Sequence, residues 1–116
     1  MNGMWVHREA MTPDGTGPQE LSIMRSYIVS YDLRAPGRNY QALYEAIKTQ
    51  FSGACPLVES TWLIRSNKDA EGVRKVLMQH TDANDAVVVF EWRGVAAWSG
   101  LRADISTWIQ QASAAA

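Results

Sequence analysis

What most constrains this chain is the way its apolar residues switch between two periods from Ser26 to Gln111. Ser26-Tyr-Ile-Val-Ser-Tyr-Asp-Leu33 is rich in β-branched and aromatic residues and predicts a strand. Ala35-Pro36-Gly37 breaks it, and Asn39 can accept a first-turn N–H of the helix that follows. Tyr40, Leu43, Tyr44, Ile47 and Phe51 then recur at helical spacing, with Gly53 as the expected stop. Pro56–Arg65 is extended, either as one strand or as two short strands hinged near Glu59. Ser66–Asp69 offers N-cap groups for a second helix whose stripe is Ala70, Val73, Val76, Leu77 and His80. After the turn Asp82–Asp85, the run Ala86-Val-Val-Val-Phe-Glu-Trp92 is almost continuously apolar, the pattern of a strand buried on both faces. Val95–Gly100 is irregular. Asp104–Gln111 predicts a short terminal helix docking through Ile105, Trp108 and Ile109, with Ala112–Ala116 fraying.

Strand, helix, one or two strands, helix, strand, helix is the order of an α+β domain on the split β-α-β, ferredoxin-like plan. Helices on one side leave the other sheet face open, and a second copy commonly covers such a face, so a homodimer is expected. The 116 residues suit one domain, with 47% apolar and 20% charged residues near the globular averages. Residues 1–23 read as a flexible leader, because Thr12–Pro18 concentrates turn formers. The domain then occupies 24–116, and Met24, just before the first strand, is a candidate translation start.

The net charge of −1 carries no broad basic field of the kind that marks many nucleic-acid binders. Cys55 is the single cysteine, which excludes an intrachain disulfide; without Cys or His at ligand spacing it reads as a small buried apolar residue. No apolar run approaches the ~20 residues of a membrane span, and no secretory signal opens the chain, so the cytoplasm is the expected location and no membrane partner is expected.

Several side chains admit both a chemical and a structural role. Asp32 can end its strand by accepting N–H groups of the Leu33–Gly37 turn, or can stand free as a carboxylate ligand. Arg34 and Arg38 can grip phosphate in bidentate fashion, or sit solvated with one of them pairing Asp32. Ser60 and Thr61 can bond a phosphate or water. Alternation puts Ser60, Trp62 and Ile64 on one face and Thr61, Leu63 and Arg65 on the other. Trp62 and Trp92 are expected as core or interface anchors rather than base-stacking platforms. His80 is expected to pack on the sheet, and Asp85 to cap the turn before the last strand.

Three segments together resemble a known family. They are Tyr27-Ile-Val-Ser-Tyr-Asp-Leu33, then Glu59-Ser-Thr-Trp-Leu-Ile64, then Asn84-Asp85 leading into Val87–Glu91 with Trp98-Ser-Gly-Leu101 behind it. They resemble the SinR-like proteins, which are similar in plan to the second CRISPR-associated adaptation endonuclease and to VapD-type ribonucleases. The resemblance spans about Arg25–Leu101. It implies a ferredoxin-like homodimer in which Asp32 of two copies meets across the twofold axis and holds magnesium for cleavage of RNA or DNA; Arg34, Arg38 and Ser60 are candidates to receive the nucleic acid by their own chemistry. Paired carboxylates suit that chemistry, since their mutual repulsion is relieved by a cation that keeps open positions for water and phosphate. Trp62 and Val58 depart from the adaptation family's pattern. The alternative is a dimeric interaction or nucleic-acid-binding module that has lost cleavage.

Overall fold

The computed structural model describes residues 24–35 and 39–115. Strand β1 (Arg25–Asp32) leads to helix α1 (Gln41–Gln50), the hairpin β2 (Gly53–Val58) and β3 (Thr61–Ser66), helix α2 (Ala70–Met78), strand β4 (Ala86–Trp92) and helix α3 (Ala103–Ala115). The four strands form one sheet in the order β2-β3-β1-β4, antiparallel throughout. Both α1 and α2 are crossovers that skip a strand position. The α+β arrangement is compatible with the ferredoxin-like plan. The leader at 1–23 and Arg38 fall outside the described residues.

The two helix starts use the acceptors expected. Asn39 Oδ1 takes the Gln41 N–H at 2.9 Å, and Asp69 Oδ1 takes that of Gly72 at 2.7 Å. The α1 end differs from expectation. Phe51 is already extended and Gly53 opens β2, because Phe51 is needed in the core rather than in another helical turn. The hinge near Glu59 is a tight one, Val58 pairing with Thr61 across Glu59-Ser60, and Ser60 takes a left-handed φ of 64°.

One face of the sheet carries Tyr27, Val29, Trp62 and Ile64, closed by Leu43 and Ile47 of α1 and Val73, Val76 and Leu77 of α2. Tyr27 reaches past this core to donate to the Lys68 carbonyl at 2.7 Å, which satisfies its buried hydroxyl. Trp62 does the same toward the Tyr31 hydroxyl at 3.0 Å. Both tryptophan expectations therefore settle on structure: Trp62 is core, and Trp92 is a half-buried member of the second cluster.

The second face departs from expectation three times. It is not left wholly open: α3 lies over it, with Ile105, Ile109 and Ala112 packed toward Ile28, Leu57, Leu63 and Trp92. The helix also runs to Ala115 instead of fraying at Ala112, because Ala112 is buried and Ser113 Oγ donates to the Gly94 carbonyl at 2.5 Å. Strand β4, expected between two covered faces, is instead a sheet edge. Its Val88 and Phe90 are 42% and 62% exposed, because α3 stops short of them. Arg65 is buried on the same side and donates to Ser26 Oγ at 3.0 Å; burial pulls its pKa down.

Candidate functional site at the Asp32 end of the sheet

The register of β1 on β4 sets Asp32 opposite Ala86, at the last rung of the ladder. By alternation its side chain leaves on the α3 face, in line with Ile28 and Ser30. Ser30 Oγ and Thr61 Oγ1 share a hydrogen bond at 3.1 Å one rung back. Arg34 Nε donates to Asp32 Oδ2 at 2.8 Å, with both side chains more than half exposed. An exposed pair of this kind contributes little to stability, in the range of ~0–1 kcal/mol.

The Arg34 N–H, just after β1, goes to another acid. Asp85 Oδ1 accepts the Arg34 main-chain N–H at 2.6 Å, Oδ2 accepts the Asp82 N–H at 2.7 Å, and the Tyr40 hydroxyl lies 2.8 and 2.9 Å from the two oxygens. Tyr40 Oη in turn accepts the Ala35 N–H at 3.2 Å. Asp85 caps the turn before β4, as the sequence suggested, and also clasps that turn to the segment after β1, which local spacing could not disclose. Among the described residues the Asp32 carboxylate makes its one hydrogen bond to a side chain, that of Arg34.

Ser60 lies at the same end of the sheet, where its carbonyl accepts the Tyr31 N–H at 3.1 Å. Asp32 and Arg34 are thus brought together, Ser60 joins the same end through its main chain, and Arg38 lies outside the described residues. Among the described residues no three His, Cys, Asp or Glu side chains gather as a metal cluster. A magnesium ion, which retains most of its water, would suit Asp32 of two copies supplemented by substrate oxygens, and not one chain alone. His80 follows α2, half buried, and its Nε2 meets no hydrogen-bond partner among the described residues.

A second feature was not anticipated. An apolar groove of about 380 Å³ runs along the α3 face between the sheet and the segment after β4, lined by Ile28, Leu57, Leu63, Trp92, Trp98 and Ile109. Both indole N–H groups facing it are satisfied within the chain, Trp92 by the Val95 carbonyl at 2.7 Å and Trp98 by Ser106 Oγ at 3.0 Å. Left-handed Gly94 and Gly100, with φ of 101° and 80°, turn the segment back over the sheet. The sequence signal was present as two tryptophans bracketing Gly94, yet only the placement of α3 makes a groove of it. No helix among the described residues is long and apolar enough to cross a membrane. No protein family, curated protein or solved structure matches the chain.

Proposed function

We propose that this chain is a homodimeric, ferredoxin-like interaction module of the SinR-like plan, acting in the cytoplasm through the α3 side of its sheet. The observation that carries the reading is the display of Val88 and Phe90 to solvent on that side, at 42% and 62% exposure. Apolar groups of this size, adjoining a half-covered groove, mark an association surface more often than a bare monomer surface. The electrostatics agree. Asp32 is compensated by its own Arg34, and Asp85 is engaged by two main-chain donors. Sedimentation of the full chain tests the reading. A dimer at micromolar concentration is expected, and Phe90→Lys is expected to weaken it at least tenfold while far-UV dichroism stays unchanged. A native chain that sediments as a monomer at 100-fold higher concentration would refute it.

A second reading is favoured by one specific observation: among the described residues Asp32 bonds to the Arg34 side chain alone, so its exposed carboxylate stands at the strand end that the family resemblance assigns to magnesium. In that reading two Asp32 side chains hold the ion, and Arg34, Arg38 and Ser60 receive the phosphates of RNA or DNA for metal-dependent endonuclease cleavage. Incubation of the chain with labelled RNA and DNA, with and without magnesium, decides it. Cleavage lost in Asp32→Ala with the dimer intact supports the nuclease; no cleavage by the parent chain removes it.

A further inference from the structure

The two edges of the sheet are built differently. The β2 edge carries Pro56, which has no N–H to offer, and its register shifts between Pro56 and Val58. The β4 edge has none of these devices. Its seven residues, Ala-Val-Val-Val-Phe-Glu-Trp, include no proline, no lysine and a single charge, Glu91, which Arg93 neutralises at 3.0 Å. Among the described residues β4 pairs with β1 alone, so one side of its main chain has no strand beside it. An apolar edge in unbroken register, with no strand beside it among the described residues, is a template for another strand.

We infer that β4 pairs antiparallel with β4 of a second copy, about a twofold axis at Val89, joining two four-stranded sheets into one of eight strands. The inference rests on the dimeric reading above and names its surface. Identical strands satisfy each other's main-chain groups in antiparallel array, and centring on Val89 pairs the whole of Ala86–Trp92 without overhang. Residues directly opposite then share a face. On the α3 side Val88 meets Phe90 of the second copy and Ala86 meets Trp92, so the two exposed apolar side chains of β4 become each other's cover. On the helical side Val89 meets its own counterpart. Like charges do not meet, because each Glu91 falls opposite a Val87.

The arrangement has a geometric corollary. Asp32 lies beside Ala86, three residues from the axis along β4 and one strand further in. With ~3.4 Å per residue and ~4.8 Å between strands, the two Asp32 positions stand ~25 Å apart. That is far beyond the reach of a shared cation.

The test uses the full chain with cysteines placed on β4, the buried native Cys55 serving as background. Val88→Cys and Phe90→Cys proteins, mixed and mildly oxidised, are expected to form a disulfide-linked heterodimer, with much less linkage in either protein alone. Nitroxide labels on Asp32→Cys are expected ~25 Å apart by dipolar spectroscopy, before allowance for the label arms. A dimer that gives no mixed cross-link, or whose residue-32 labels lie within ~15 Å, overturns the edge pairing and leaves the dimeric reading standing. A monomer at all concentrations overturns both. Amide protection of β4 that is already complete in a monomer also overturns the pairing, since the chain's own residues 1–23 would then cover the edge.

Discussion

Replacing Asp85 by alanine separates two segments that are 51 residues apart in sequence. The carboxylate accepts two main-chain N–H groups, from Arg34 and Asp82, and the Tyr40 hydroxyl. Hydrogen bonds to a charged acceptor contribute about 1.5–3 kcal/mol each where they are dry, and less where water can replace them. The Asp85 side chain is half buried, and the freed N–H groups lie near the surface. About 1 kcal/mol for each main-chain bond is then appropriate, or about 2 kcal/mol in all. For a domain of this size that lowers Tm by ~8–16 °C. Asp85→Asn keeps an acceptor for Arg34 and Tyr40 but turns an NH2 toward the Asp82 N–H, so it should cost about half as much. Urea unfolding gives the energies, and amide exchange at Arg34 locates them. If Asp85→Ala unfolds within 2 °C of the parent and the Arg34 amide exchanges no faster, the clasp is not what holds these segments together.

Trp108 is fully buried at the centre of α3, and Trp108→Ala should cost ~3–5 kcal/mol and raise binding of an apolar dye as the helix loosens from the sheet; thermal melting with dye fluorescence reads both. Ser60 holds a left-handed φ of 64°, so Ser60→Gly should stabilise the hairpin by up to ~1 kcal/mol in urea titration, the relief of a Cβ contact with its carbonyl. Burial pushes the Cys55 thiol up to about 11, so the folded chain should resist alkylation at pH 8 and react fully in urea. Because the folded value lies above the ordinary 9.0, the associated stability is complete below pH 9 and fades as pH rises toward 11, which denaturant titrations across that range will show.

Local pattern was enough to read most of this fold. The stripes Leu43–Ile47 and Val73–Leu77 and the alternation in Tyr27–Tyr31 and Trp62–Ile64 each report the face they bury, because burial on one side imprints a period. Strand β4 misled for the converse reason. A continuous apolar run looks the same whether its second face meets a helix of its own chain or, as at Val88 and Phe90, lies exposed. Helix α3 was legible in its middle, and its last turn was not, since alanine and serine carry little signal until Ala112 finds the sheet and Ser113 finds Gly94. At the candidate site, a pairing of Asp32 with Arg34 or Arg38 was legible from their nearness, and the fold selects Arg34 among the described residues. The role of Asp85 was only half visible, because its partners at Arg34 and Tyr40 come from a distant part of the sequence.

Helices α1 and α2 are threaded between strands and cannot leave without undoing the sheet, whereas α3 follows β4 and no described strand of the sheet comes after it. Its departure is therefore a local event with its own equilibrium, separable from global unfolding. Cys55 sits on the rung with Leu63 beneath this helix, near enough that Asp104 and Arg102 act on its thiol. The chain thus carries a native clock for that motion. The rate at which Cys55 becomes modifiable in the absence of denaturant measures how often α3 lifts, and its response to Trp108→Ala tells how firmly the single indole keeps the lid down.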